Sequence, residues 1–117
     1  MFLKLPHSSL DVYQCSRQMV LACYKLSKRL PDSEKFALAQ QIRRAATSVT
    51  LNIAEGCSRK SVTERHRYFE IATGSVIEID SIMDLFIDLE YFTYEDLIPT
   101  GELLIRSFKM LSSMMMK

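Results

Sequence analysis

The sequence predicts an all-α fold, an antiparallel up-down-up-down four-helix bundle that forms one domain over residues 1–117. Three observations predict it. The chain has the length of a single ordinary domain. It contains only 3 Gly and 3 Pro, so few residues interrupt long helices. Four successive segments carry core-type residues in alternating steps of three and four, the spacing of helices that pack side by side.

The first helix is predicted over residues 9–29 and the second over residues 33–56. Pro31 separates them, Asp32 is expected to cap the second helix, and Gly56 is expected to end it. The stripe of the first helix comprises Val12, Ser16, Met19, Cys23, Leu26 and Leu30. The stripe of the second comprises Ala39, Ile42, Ala46, Val49 and Ile53.

The third helix is predicted over residues 62–90, and its start is marked by the S-x-x-E spacing of Ser61 and Glu64, typical of a capping box. Its stripe comprises Phe69, Ala72, Val76, Ile79, Met83 and Phe86.

The fourth helix is predicted over residues 94–114, with a looser capping pattern from Thr93 to Asp96. Its stripe comprises Leu97, Gly101, Leu104, Phe108, Leu111 and Met115. Pro99 conflicts with a regular helix because it lacks the backbone N–H and crowds the preceding turn. The helix therefore either kinks at Pro99 or begins near it. A three-helix bundle with a frayed tail is the alternative fold.

Apolar residues outside these stripes predict a second covered face. On the third helix they are Ile71, Ile82, Leu85 and Leu89, and on the first Tyr13, Val20, Leu21 and Tyr24. A bundle helix that is apolar on two sides commonly meets another subunit. The row on the third helix is therefore a predicted oligomer interface, and a wide core face is the alternative interpretation.

The charges are distributed unevenly, although the net charge is only +1. Residues 1–67 carry 12 Lys and Arg against 5 Asp and Glu, whereas residues 68–117 carry 3 against 9. A basic and an acidic surface can therefore coexist. The densest basic group, with His66 and Tyr68 alongside, comprises Arg43, Arg44, Arg59, Lys60, Arg65 and Arg67. Arginines of this kind can bind phosphates; pairing with neighbouring acids, or a role in solubility alone, is the alternative.

The patterns of enzymes and cofactor proteins are missing. The only histidines, His7 and His66, do not follow a Glu by three residues, as a di-metal bundle would require. There is no glycine-rich phosphate loop and no nucleophile elbow, and Gly74 and Gly101 are expected to allow close helix packing. We therefore predict a protein without enzymatic activity, cofactor or metal.

The cysteine pattern and the hydropathy bear on the compartment. Cys15, Cys23 and Cys57 are an odd number without C-x-x-C spacing, which favours reduced thiols. No stretch reaches the roughly 18 uncharged apolar residues of a membrane span. A cytoplasmic protein is expected.

Glu55 is the most unusual carboxylate, because it follows an uncharged run from Ala45 to Ala54. It is interpreted as an inter-helix or inter-subunit anchor for an arginine such as Arg59. A solvated helix end is the alternative.

One motif resembles a known family. It runs from Gln41 to Val49, continues with Asn52-Ile53-Ala54-Glu55-Gly56 and ends with Ser58-Arg59-Lys60-Ser61. The chain resembles the bacterial four-helix-bundle proteins encoded in 23S rRNA intervening sequences. The resemblance implies a ring-like homo-oligomer, with a pentamer expected, and no established enzymatic activity.

A related branch comprises the accessory variability proteins of diversity-generating retroelements. That branch implies binding to nucleic acid and to a reverse transcriptase through a basic surface, and the near-neutral charge of this chain fits it less well. Two functions thus remain open: an oligomeric RNA- or DNA-binding accessory protein, and a protein-protein scaffold that ignores nucleic acid.

Overall fold

Four α-helices make up most of the computed structural model, which describes residues 2–116. They are α1 (Asp11–Lys28), α2 (Leu38–Ser58), α3 (Val62–Asp88) and α4 (Tyr94–Met115), and two short 3-10 turns lie at Pro6–Ser9 and Asp32–Glu34. No β-strand occurs among the described residues. The all-α prediction is confirmed.

The helices form a square in which α1 packs on α2, α2 on α3, α3 on α4, and α4 on α1. The connection from α2 to α3 and that from α3 to α4 are only a few residues long, so each reverses the direction of the chain. The result is the predicted antiparallel up-down-up-down bundle, which measures 44 × 29 × 21 Å. Its two ends differ: the α2–α3 connection lies at one, and the connections α1–α2 and α3–α4 at the other.

The core follows the predicted stripes in three helices and departs from them in the fourth. Every residue of the stripes of α1, α2 and α3 is buried. In α4 the buried residues are Leu97, Thr100, Leu104, Ser107 and Leu111. Thr100 and Ser107 replace the predicted Gly101 and Phe108, and Phe108 is 42% exposed.

Small polar side chains join neighbouring helices where they pack together. Ser107 Oγ lies 3.4 Å from Cys15 Sγ and links α4 to α1. Thr50 Oγ1 donates to Ser16 Oγ over 3.0 Å and links α2 to α1. Ser75 Oγ donates to Ser48 Oγ over 2.9 Å and links α3 to α2. These hydrogen bonds remove the cost of burying hydroxyl groups.

The first residues of α2 and α4 differ from one expectation, the Asp32 cap, and decide between the two alternatives for Pro99. α2 begins at Leu38 after the 3-10 turn, and the side chain of Asp32 does not cap it. Thr93 and Asp96 form a complete capping box at the start of α4, so the helix begins five residues before Pro99 and runs through it. At Ser61, by contrast, only the hydroxyl accepts, from the backbone N–H of Glu64.

The glycines have roles opposite to those expected. α2 continues to Ser58, so Gly56 does not end it; Gly56 is buried and faces the ring of Phe69. A Cβ added at Gly74 or Gly101 would meet nothing within 4 Å. Close packing therefore requires glycine at position 56 and at neither of the other two.

Candidate functional site

The predicted basic group does not form one cluster. Arg43 and Arg44 lie in the second turn of α2, whereas Arg59 follows its last residue. Sixteen residues of helix separate Arg43 from Arg59 by about 24 Å along the axis, at ~1.5 Å per residue. The prediction of a single surface is wrong. It grouped residues that are close along the chain, whereas α2 places Arg43 and Arg59 at opposite ends of the helix.

Arg43 makes contacts within the bundle. Its Nη1 donates to Ser27 Oγ over 3.3 Å, and its guanidinium lies 6.0 Å from the ring centre of Tyr24. Both partners belong to α1, so Arg43 joins α2 to α1. Arg44 is exposed beside Ser48, Ser75 and Glu78 in the groove between α2 and α3.

Arg59 is held in place by residues on both sides of the α2–α3 connection. Its Nη2 donates to Glu55 Oε2 over 2.9 Å and to the hydroxyl of Tyr68 over 3.0 Å. The guanidinium lies 4.9 Å from the centre of the Tyr68 ring. Tyr68 and then Glu55 raise the pKa of Arg59 above its ordinary value. The Glu55–Arg59 pair was predicted to join helices or subunits; in the structure it is an i,i+4 pair at the end of α2, and Tyr68 supplies the contact of Arg59 with α3.

Arg67 lies on the same side, with its guanidinium 5.8 Å from the ring centre of Tyr68. Its side chain is exposed, and so is that of Lys60, while Arg65 is half-buried. Within residues 2–116, no carboxylate lies within 4.0 Å of the charged nitrogens of these three residues. We call Lys60, Arg65 and Arg67 the corner cations.

Lys60 and Arg65 border an open cavity of about 560 Å³ at the end of the bundle. We call it the end crevice. The start of α1, the start of α3 and the last turns of α4 enclose it. Its lining includes His66, Asp11, Val62, Met110, Ser113 and Met114. Sequence reasoning placed His66 beside the cations but missed the α4 residues, which are about 50 positions away in the chain.

The corner cations stand at the edge of an acidic region. Residues 68–105 contain no Lys or Arg and nine Asp and Glu. They form most of α3 and the first half of α4, including the end of the bundle opposite the end crevice. In α3 and α4 the basic residues are therefore Arg65 and Arg67 at the start of α3 and Arg106 and Lys109 in the second half of α4. Within these two helices an anion is attracted towards the end that holds the crevice.

The exposed apolar surface differs from the predicted row. Ile82 is only 3% exposed and packs in the core of the chain, so its assignment to an oligomer interface is wrong. Ile71, Leu85 and Leu89 are exposed, as the row requires. An open apolar groove of about 630 Å³ lies between α3 and α4. Its exposed apolar residues are Ile77, Ile87, Tyr94, Ile98, Ile105 and Phe108.

This α3–α4 groove was missed because its residues are shared between two helices. Each helix contributes apolar positions that fall outside its own stripe, such as Ile77 and Ile105. Asp80, Asp84 and Glu102 also line the groove, so it combines apolar area with negative charge. The groove could have been predicted by combining the apolar residues outside the stripes of two adjacent helices.

Between residues 2 and 116, no group of three or more His, Cys, Asp or Glu is placed to hold a metal ion. In the same part of the chain, no helix has both the length and the apolar character needed to cross a membrane.

Comparisons with known proteins agree with the fold. The sequence model of the 23S rRNA-intervening sequence proteins matches residues 8–113. A crystal structure at 1.70 Å of a protein of unknown function from the S23 ribosomal protein family, from Bacteroides thetaiotaomicron, is similar with a TM-score of 0.83 and 26% identity, over 91% of this chain and 99% of that one. Among curated proteins no match is found.

Proposed function

Because the chain belongs to the family of 23S rRNA-intervening sequence proteins, we propose that it is a non-enzymatic, oligomeric accessory protein that binds RNA or DNA through the corner cations. The observation that carries the proposal is the state of Lys60, Arg65 and Arg67. All three side chains reach solvent at one end of the bundle, and none forms a salt bridge within residues 2–116. Unpaired cations of this kind are available to phosphates.

Arg59 supports this surface without being free itself. Its bonds to Glu55 and Tyr68 tie the end of α2 to the first turns of α3. The turn that carries Lys60 is therefore rigid, and less conformational entropy is lost when a phosphate binds. Arginine is suited to this role because it bonds and stacks at the same time.

The small number of phosphate contacts that one chain can make favours assembly. Three cations neutralise about three phosphates, and each phosphate contributes only about −0.9 to the slope of log affinity against log salt for duplex DNA. Such binding is weak for one chain. Several copies held together present several sets of corner cations. Binding at one set raises the effective concentration of the same strand at the next, so the combined affinity exceeds that of one chain.

The α3–α4 groove is the surface that supports assembly best. It exposes six large apolar side chains that line one continuous groove. Exposed apolar patches of this kind mark interaction surfaces. The sequence resemblance adds the expectation of a pentamer, and oligomer size is the part of the proposal that a mass measurement tests.

A protein-protein scaffold is the second candidate, and the same groove favours it. Its acidic residues Asp80, Asp84 and Glu102 match a basic partner helix laid along an apolar groove. A partner such as the reverse transcriptase implied by the resemblance belongs to this candidate. It predicts that the protein does not bind nucleic acid at all.

Fluorescence anisotropy separates the two candidates. Labelled structured RNA and duplex DNA are titrated with the protein at several salt concentrations. We expect salt-sensitive binding that the triple variant Lys60→Ala, Arg65→Ala, Arg67→Ala weakens by at least about tenfold while lowering the salt slope by about 3. The control, Lys25→Ala, Lys28→Ala, Arg44→Ala, removes the same charge from exposed positions elsewhere. Equal losses for both variants, or no binding at low salt, would overturn the proposal.

A further inference from the structure

We infer that the end crevice receives a single unpaired base, so that the protein prefers single-stranded nucleic acid to a continuous duplex. This inference rests on the proposed function, since it extends the phosphate site formed by the corner cations. The crevice and the cations share Lys60 and Arg65. A strand whose phosphate lies against these two residues therefore has a cavity beside it.

The size and lining of the crevice suit a base. Its volume of about 560 Å³ lies within the ~300–1,000 Å³ typical of small-molecule sites. The apolar part of the lining comes from Val62, beside the cations at the start of α3, and from Met110 and Met114 in the last turns of α4. Thioether groups make favourable contacts with aromatic rings and adapt to their shape. A flat base can thus be covered on its faces without a matched stacking ring.

The charges in the crevice orient the nucleotide. Lys60 and Arg65 attract the phosphate, whereas the carboxylate of Asp11, which also lines the crevice, repels it. The phosphate is thereby confined to the α3 side. Asp11 can instead accept a hydrogen bond from an amino group of a base. Ser113 adds a hydroxyl that can donate or accept.

A continuous duplex cannot use such a cavity. Its bases are stacked and paired, and extracting one costs a few kcal/mol. An unpaired base in a loop, bulge or strand end has no partner to lose and can be splayed into a pocket. The corner cations alone bind phosphates of either form, so the crevice is the element that produces the preference.

The test compares three probes of equal length: a single-stranded RNA, its blunt duplex, and an abasic strand that retains the phosphates. We expect the single strand to bind about tenfold more tightly than either other probe, at the lower end of what stacking one base on an aromatic side chain contributes. The variant Ser113→Phe fills the crevice from an exposed position without changing charge. We expect it to reduce single-strand affinity to the level of the duplex.

The control Ser81→Phe places the same side chain on an exposed part of α3 outside the lining of the crevice and should change nothing. Circular dichroism confirms that both variants fold. Equal binding of all three probes, unchanged by Ser113→Phe, would overturn the inference and leave the proposed function intact. Absence of binding to every probe by the wild-type protein would overturn both.

Discussion

Gly56 and Phe69 approach so closely that no side chain fits between them. A Cβ added to Gly56 would lie 2.6 Å from Phe69 Cε1, 2.9 Å from Phe69 Cδ1 and 3.2 Å from the backbone oxygen of Arg65. Phe69 is buried and Arg65 O is backbone, so neither can withdraw easily. This contact sets the distance between the end of α2 and the beginning of α3, next to the corner cations.

Gly56→Ala should therefore destabilise the protein by about 1–3 kcal/mol, the usual cost of overpacking, even though alanine is the better helix former. Gly74→Ala is the matched control on α3, where the added Cβ meets nothing within 4 Å. It should stabilise by about 0.5–1 kcal/mol through helix propensity. Urea unfolding measures both, and effects of the same sign would contradict the packing argument.

Thr93→Ala should cost about 1 kcal/mol of unfolding free energy, because it removes the cap hydroxyl of α4. The hydroxyl accepts from the backbone N–H of Asp96 over 3.3 Å, and the Asp96 carboxylate accepts from the N–H of Thr93 over 2.9 Å. Thr93→Ser keeps the hydroxyl and serves as the control. If urea midpoints for both variants fall equally, the capping bond is not the cause.

Asp96 should make stability depend on acidity. The backbone N–H and then the side chain of Thr93, with a smaller contribution from Arg29, hold the pKa of Asp96 below its ordinary value of 3.8. Folding thus favours the ionised carboxylate. Its contribution to the stability of the fold is complete above pH 3.8 and is lost as the pH falls through the lower pKa of Asp96 in the folded protein. Urea titrations at pH 6 and pH 3 should show that Asp96→Asn loses less unfolding free energy between the two pH values than the wild type does. An identical loss would contradict this assignment.

The three free thiols should react in a fixed order. Cys15 and Cys23 are buried and Cys57 is half-buried. Burial raises the pKa of Cys23 to about 12, and it also raises that of Cys57, against an opposing effect of Arg65. Iodoacetamide followed by mass spectrometry should label Cys57 first, slowly, and the other two only in urea. Labelling of Cys23 at the rate of Cys57 in the native protein would contradict the core arrangement.

For the proposed assembly through the α3–α4 groove, Ile105→Asp should reduce the mass of the particle in solution, because it introduces a charge into the groove at a residue that is 58% exposed. The fold of one chain should survive, since Ile105 is not part of the core. Leu51→Asp, at an equally exposed position outside the groove, is the control. Light scattering after size exclusion measures the mass, and a lower mass for Leu51→Asp instead would move the interface to the α1–α2 face.

The fold could be predicted because three helices obey one rule. In α1, α2 and α3 the core positions are mostly apolar and recur at heptad spacing, so hydrophobicity alone identifies them. α4 departs by one position, at Thr100 and Ser107. A hydrophobicity argument prefers Phe108 to Ser107, yet Ser107 has a partner in Cys15 that only the folded structure reveals.

The candidate site was predicted less completely, for geometric reasons. Nearness along the chain grouped Arg43 with Arg59, although a helix separates them. The Glu55–Arg59 pair was predictable because an i,i+4 spacing brings side chains together within one helix turn. The end crevice was not, since Asp11, Arg65 and Met114 meet only after the whole bundle has formed.

The hydroxyls that are hydrogen-bonded between helices also constrain how the sequence can vary. A buried leucine can be exchanged for another aliphatic residue at modest cost, and the change needs no companion elsewhere. Loss of Ser16 leaves the half-buried hydroxyl of Thr50 without its bond, and loss of Ser48 does the same to Ser75. In the reverse direction Ser16 still donates to the backbone oxygen of Tyr13, and Ser48 still accepts from Asn52. Such positions are expected to change in pairs among related chains, so correlated substitution should be concentrated at these few contacts between helices and be rare along the aliphatic stripes.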